Sequence, residues 1–471
     1  MTATQERITS SVAQERRSLP AGGPDPERFD VTEAWYPVAY VEDLDKSRPA
    51  RFTLLDRPIV IWWDPNAETW RVFEDKCPHR LAPLSEGRVN QAGLLECPYH
   101  GWAFSGSGTC EHIPQASEDV LGSLSNRACA GSMPTVVKQD LLFVYPGQAE
   151  NASKVGVPII DPIDEEPDGW VVLNTFRDLP YDALTLLENV LDASHIPYTH
   201  HKTVGNRDNA APMQMDVVES SKQGFRGIWP EGPRKGKLGT QYTHFVAPSL
   251  MYHDLTSKQF GRTMTVVYAT PMRKGECRLF ARFPFKFSSK LPSFFIKRTP
   301  RWWTHIGNNG VLEDDQIFLH LQERELEKAG DKPYAQACYL PTPADRYVSE
   351  YRKWVSTFRA DPFPNQALSR AWSRDHLLDR YNSHTRHCGS CAPALKRIQA
   401  TRRVALVVSA VAWSAIPLTV AITGGVPFLA GSVLTGVPLV AGGVWLWLGN
   451  LERKFYEGRE LPPRNLPDKE G

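Results

Sequence analysis

A chain of 471 residues, 41% of them hydrophobic, is long enough for two folded domains and their connections. With 54 basic against 53 acidic side chains its formal net charge is +1; the basic stripe that neutralises phosphate is missing, so no nucleic acid is expected as a partner. Eight cysteines, at positions 77, 97, 110, 129, 277, 338, 388 and 391, are too sparse for a secreted disulfide scaffold and fit a reducing compartment.

In chain order, residues 1–28 are polar and lack an apolar segment, which predicts a disordered leader and neither a secretory signal nor an acid-poor transit peptide. Residues 29–148 hold short β-rich runs, clearest at Arg51–Leu55, Ile59–Trp63, Trp70–Phe73 and Leu141–Tyr145, and their spacing predicts an all-β sandwich or small barrel. Gly147–Asp168 is polar and Pro-rich, the composition of a linker. Over 149–335 the strands Trp170–Asn174, Met213–Val218, Met264–Ala269 and Cys277–Phe283 mix with helices at about Asp182–Ser194 and Val311–Lys328, which predicts an α+β domain. A helical or linker region follows over 336–402.

Between Arg403 and Glu452 no residue is charged, and the apolar stretches Val404–Thr423 and Pro427–Leu448 are parted by Gly424 and Gly425. Each approaches the roughly 20 residues that cross a bilayer core, so 403–449 is expected to form two transmembrane helices, with a buried helical hairpin as the competing reading. Lys396, Arg397, Arg402 and Arg403 precede the first stretch; Arg453, Lys454 and Arg459 follow the second, in the polar tail 450–471. That asymmetry places both flanks, and the large body with them, on the cytoplasmic or stromal side.

The most specific pattern is the pair Cys77-Pro78-His79-Arg80 and Cys97-Pro98-Tyr99-His100-Gly101-Trp102. Two thiolates can hold one iron of a 2Fe-2S cluster and two neutral imidazoles the other, which raises the reduction potential above that of an all-cysteine cluster. Two hairpin loops, each offering one Cys and one His, would set four ligands around one point, and Gly101 and the prolines permit the tight turns. Zinc accepts the same residue types, but zinc fingers group like ligands together and each loop here is mixed. Cys110 and Cys129 have no place in the pattern. With 17 residues between its halves and Trp35-Tyr36-Pro37-Val38 ahead of it, this pair resembles the N-terminal domain of Rieske-type non-haem iron oxygenases.

The resemblance extends to Asn189, Asp192, His195 and His200, spaced as N-x-x-D-x-x-H-x-x-x-x-H. Leu184, Leu187, Val190 and Leu191 mark one side of a helix whose adjoining side carries Asn189, Asp192 and His195. Pro197 is expected to end that helix, so that the chain folds back and brings His200, or alternatively His201, beside His195. An oxygen-activating Fe(II) site wants two His and one carboxylate on one face. The candidates are Glu313, Asp314 and Asp315, in a helix whose buried face is marked by Val311, Leu312, Phe318 and Leu319. On the wheel Glu313 points away, Asp314 lies at the edge and Asp315 falls within the apolar arc. A carboxylate aimed into a core needs a partner; Asp315 is therefore the expected third ligand and Asp314 its competitor. Asp315 also resembles the family ligand in standing just before Gln316 and the apolar Ile317-Phe318-Leu319.

In similar enzymes the acid at Asp192 bridges a cluster His of one subunit and an iron-ligating His of the next, which implies a homotrimer. His79 or His100 of one chain would reach Asp192, and Asp192 would orient His195; Asn189 is expected either near the iron or in a hydrogen-bonding or packing role. The run from Asp192 to Gly205 resembles the pheophorbide a oxygenase and chlorophyllide a oxygenase-like group. That group combines a Rieske domain, a helix-grip-like catalytic domain, C-terminal spans and a Cys pair before them, here Cys388-Gly389-Ser390-Cys391, and the likeness covers roughly 30–450. The resemblance implies a 2Fe-2S cluster, a mononuclear Fe(II), a ferredoxin or similar donor, O2, a tetrapyrrole-like apolar substrate and a cyanobacterial or plastid setting. No nucleotide or flavin motif offers an internal electron source. In the group the Cys pair is a thioredoxin target; two idle thiols, or half a zinc site with His384 and His387, are the alternatives.

Overall fold

The computed structural model describes residues 28–257, 261–330, 332–425 and 428–467; of the expected leader, all but Arg28 lies outside them. Four strands come first, β1 (Tyr36–Tyr40), β2 (Ala50–Leu54), β3 (Arg57–Asp64) and β4 (Thr69–Glu74). The short strands β5 (Arg88–Val89), β6 (Leu95–Glu96), β7 (Ala103–Phe104) and β8 (Cys110–His112) follow, then β9 (Ser132–Met133), β10 (Thr135–Lys138) and β11 (Leu141–Val144). They build three antiparallel sheets, ordered β1-β11-β10, β2-β3-β4-β9 and β5-β6-β7-β8. β3 explains the stacking. Ile59 and Ile61 enter a core with Phe52, Val72 and Leu142, while Val60 and Trp62 enter another with Phe73, Leu84, Leu95 and Phe104. The two-residue period of a strand divides one apolar run between two cores.

The second half is a seven-stranded antiparallel sheet in the order β12-β18-β17-β16-β15-β14-β13. Its strands are β12 (Val171–Leu179), β13 (Asp216–Ser221), β14 (Gly224–Trp229), β15 (Gln241–Val246), β16 (Leu250–Ser257), β17 (Gly261–Arg273) and β18 (Glu276–Lys286). Against one face pack α1 (Ala183–Leu191) and α3 (Arg346–Thr357), while the long α2 (Arg301–Lys328) lies along the edge strand β12, with Trp302 and Ile306 against the core of the opposite face and Leu319 in the core of this one. Leu186, Leu187 and Leu191 of α1 and Tyr351 and Trp354 of α3 meet Phe245, Met251, Val267 and Leu279 there. The alternate residues Val266, Tyr268 and Phe280 turn to the other face and pack on Tyr40, Leu141 and Phe143 of the first half. The fold is thus an all-β domain followed by an α+β domain, as expected.

Several local expectations are corrected. α1 ends at Leu191, and Asp192 is extended (φ −83°, ψ 93°). Its side chain accepts from the N–H of Ser194 and starts a new turn instead of continuing the helix. Pro197 opens the short helical turn Ile196–Thr199 rather than ending α1, a first-turn position where the missing N–H costs nothing. α2 starts at Arg301, ten residues before Val311, with Pro300 at its N-cap. The stretch Gly147–Asp168 is a packed connection: Ala152, Ile160 and Ile163 are buried, and Trp35 Nε1 donates to the carbonyl of Val155 at 3.0 Å.

α4 (Cys391–Thr423) and α5 (Phe428–Arg453) pack against each other. Gly424 ends α4 at φ 72°, the left-handed cap that glycine adopts without penalty. Only 6% of the most apolar stretch of the first helix and 17% of that of the second is buried, so within this chain the two helices leave most of their apolar surface uncovered. The polar tail is not loose. Arg380 N–H donates to the carbonyl of Tyr456, Gly458 N–H to that of Leu378, and Arg464 reaches back to the α1–α2 region.

Candidate metal centres

The two cluster loops close in the same way. In each, the Cys N–H bonds a carbonyl five residues on, Ala82 for Cys77 and Trp102 for Cys97, both at 2.8 Å. The Cys carbonyl accepts from the residue four on, Leu81 or Gly101. That residue must be left-handed, and Gly101 (φ 75°) and Leu81 (φ 60°) both are. A Cβ on Gly101 would also sit 2.8 Å from Pro114 Cγ. Cys77 and Cys97 are buried on the core side, whereas His79 is exposed and His100 half-exposed, with their rings 4.7 Å apart. Burial pushes the Cys77 thiol up to about 12 although the N–H groups of His79 and Arg80 point at its sulfur. The four ligand atoms are not gathered within 4.8 Å of one another as a single-ion set would be; the cysteines lie on the core side and the imidazoles outside them, the division that a Rieske cluster makes between its two irons.

His195, His200 and Asp315 do converge within that limit. His195 Nε2 lies 3.3 Å from His200 Nε2, and Asp315 Oδ2 lies 3.2 Å from His200 Nε2, with Oδ1 4.0 Å from His195 Nε2. The break at Asp192 and the turn at Pro197 swing the second imidazole under the first. The outer nitrogens are anchored: His195 Nδ1 donates to the backbone carbonyl of Asp192, and His200 Nδ1 donates to Asp314 Oδ2 at 3.3 Å. Both inner nitrogens are therefore aimed at one point with a carboxylate beside them, and Asp315 Oδ1 is buried without a hydrogen-bond partner. Burial works against charge on His200, but Asp314 and then Asp315 outweigh it and hold the imidazole up to about 9. A divalent metal fits such a place, where buried carboxylates gather positive charge.

Residues 34–136 match the Rieske 2Fe-2S domain family, and residues 245–332 match the family described as Pheophorbide a oxygenase. The chloroplastic pheophorbide a oxygenase of Arabidopsis thaliana is 36% identical over 95% of this chain and 87% of its own length. The chain belongs to the pheophorbide a oxygenase family. Flavonoid 8-hydroxylase 2 of Ocimum basilicum, also chloroplastic, is 34% identical over 79% of this chain and 75% of its own. Among solved structures, dicamba monooxygenase bound to dicamba shares the fold, with a TM-score of 0.56 and 22% identity over 70% of this chain and 98% of that one. As a member of this family the protein is a Rieske oxygenase.

Within this family member, Asp315 rather than Asp314, and His200 rather than His201, stand at the point where the ligand atoms meet. His201 Nδ1 instead accepts from the N–H of Arg207. Asp314 also accepts from Thr203 Oγ1 at 2.8 Å, and Arg464 donates to the carbonyls of Asp314 and Thr199, tying the two ligand segments together. The expectation that Glu313 faces away from the core is overturned. It is 4% exposed and grips Arg380 through both oxygens at 2.6 Å and Arg177 at 2.8 Å. The apolar arc misleads because α2 buries polar residues, His305, Asn309, Glu313, Gln316 and His320 among them, while Phe318 is exposed. Asp192 orients His195 through its backbone carbonyl, and its side chain serves Ser194. Asn189 is half-buried, with no side-chain hydrogen bond among the described residues. His253 escaped notice in the sequence: on β16, pushed down to about 4 by burial, it donates to the carbonyl of Val190 beside the site. Cys388 and Cys391 are buried next to His305 and His384, not His387.

Proposed function

We propose that this protein is a membrane-anchored, ferredoxin-dependent oxygenase that oxidises a chlorophyll-type tetrapyrrole at a mononuclear Fe(II) held by His195, His200 and Asp315. A 2Fe-2S cluster on Cys77, His79, Cys97 and His100 would feed it. The observation that carries the reading is the convergence of two anchored imidazoles and an unpartnered buried carboxylate on one point, in a chain that also has a Rieske domain. When bound, the cluster passes single electrons and the ferrous ion is where dioxygen is reduced. The chain's own part is orientation. Asp314 and the carbonyl of Asp192 hold the outer N–H groups of the two imidazoles, so each Nε2 faces inward, and a bound metal would displace the proton that Asp314 and Asp315 favour on His200. Leu191 and Ala193, both buried, help to keep the surroundings dry.

The exposed rim of Tyr99, Leu81 and His79 suits a small electron-donor protein and the neighbouring subunit of a trimer, in which Asp192 would receive the cluster His. The tetrapyrrole is favoured by the similarity to pheophorbide a oxygenase along nearly the whole chain; the flavonoid hydroxylase relative makes a flavonoid the alternative. Membrane anchoring rests on the exposed apolar surfaces of α4 and α5. The helix Lys290–Arg298 also exposes Leu291, Phe294 and Phe295, the kind of face that lies in a lipid interface. The test is turnover of purified protein with reduced ferredoxin and labelled O2 on pheophorbide-type pigments and on flavonoids. Label in a pigment supports the reading; label in a flavonoid alone, or in neither, refutes it.

A further inference from the structure

His305, His384, Cys388 and Cys391 lie together at the junction of the catalytic domain and α4, and neither the cluster nor the mononuclear site uses them. They come from three places: His305 from the second turn of α2, His384 and Cys388 from the loop before α4, Cys391 from its first residue. The imidazoles are 0% exposed and the cysteines 1%. His384 Nε2 stands 3.1 Å from His305 Nδ1 and 3.3 Å from Cys391 Sγ; His305 Nδ1 stands 3.4 Å from Cys388 Sγ and 3.5 Å from Cys391 Sγ. Tetrahedral zinc with two nitrogens and two sulfurs spaces its ligand atoms about 3.3 to 3.8 Å apart.

From these contacts we propose that the four residues hold a structural zinc ion. The outer atoms are prepared for it. His305 Nε2 donates to the carbonyl of Asn174 at 2.9 Å and His384 Nδ1 to that of Phe176 at 2.7 Å. Both carbonyls lie on β12, the edge strand of the large sheet, whose free side would otherwise leave them unpaired. With those protons spent outward, the two inner nitrogens present lone pairs to each other at 3.1 Å. That arrangement is repulsive without a cation between them, and it is the tautomer a metal requires. The N–H groups of Ser390 and Cys391 both point at Cys388 Sγ at 3.4 Å, which stabilises a thiolate. Binding would release two thiol protons to solvent and leave two thiolates, two neutral imidazoles and one Zn²⁺. Their net charge is zero, as full burial demands. A second Rieske-type cluster does not fit, because sulfurs and nitrogens would then belong to different irons, whereas here each sulfur lies within 3.5 Å of a nitrogen.

The ion would clamp the start of α4 to α2, which carries Asp315 ten residues, or about 15 Å, beyond His305. The test uses full-length protein in detergent. Metal analysis should find about one zinc per chain beside the iron, and zinc-edge absorption should report two nitrogen and two sulfur neighbours. His305→Gln should lose that zinc while the reduced cluster keeps its paramagnetic signal. If the variant does not fold, the absorption spectrum of the unaltered protein decides alone. Zinc below about a fifth per chain in iron-replete protein, or a Cys388–Cys391 disulfide that thioredoxin reduces, overturns the proposal and returns the pair to redox regulation.

Discussion

Asp315 and Asp314 are neighbours with opposite duties. One carboxylate faces the inner nitrogens of two imidazoles, the other takes the outer N–H of His200. Asp315→Asn should therefore strip the mononuclear iron and abolish turnover, with the Rieske signal unchanged in electron paramagnetic resonance. Asp314→Asn keeps the inner ligand set but weakens the hold on the ring, and iron affinity should fall by about 10- to 100-fold in a chelator competition. Gly101 is constrained twice, by its positive φ and by the 2.8 Å approach to Pro114. Gly101→Ala should cost about 1–3 kcal/mol and lower the cluster's occupancy, read from its visible absorbance.

At the scale of elements, pattern reading on α2 singled out the acid that the fold brings beside the two imidazoles, but by a faulty route. A wheel assumes that apolar side chains mark the buried face, but this helix is surrounded and its charges are neutralised by other segments, Glu313 by Arg177 of β12 and by Arg380. Replacing Glu313 by Gln would strand two buried guanidiniums, a loss of about 3–5 kcal/mol, visible as a lower thermal midpoint. The cluster loops were legible because their ligands and turn glycine lie within a few residues of each other. His305 was not, since nothing near it in sequence distinguishes a ligand from any core histidine.

For the whole molecule, the tail after α5 returns to the His195–His200–Asp315 site, where Arg464 bonds the carbonyls of Thr199 and Asp314. Arg464→Met should loosen the His200 segment and accelerate iron loss to a chelator, with folding of the Rieske domain unaffected. If electrons cross between subunits, mixing chains that carry His100→Ala with chains that carry His195→Ala should recover part of the turnover that each lacks alone; no recovery would argue for transfer within one chain.

From sequence alone came the domain order, the mixed Cys–His loops, the His195–His200 pair, and two apolar stretches as long as a membrane is thick. These are local: they depend on spacing, turn chemistry and strand or helix period, which act over a few residues. Tertiary structure alone decided which of three adjacent acids meets the imidazoles, that Glu313 is buried between two arginines, that the tail buttresses the site, and that His305 meets Cys388 and Cys391. Each joins segments scores of residues apart, and only the packing of α2 against β12 and the C-terminal segments settles which side chains face one another.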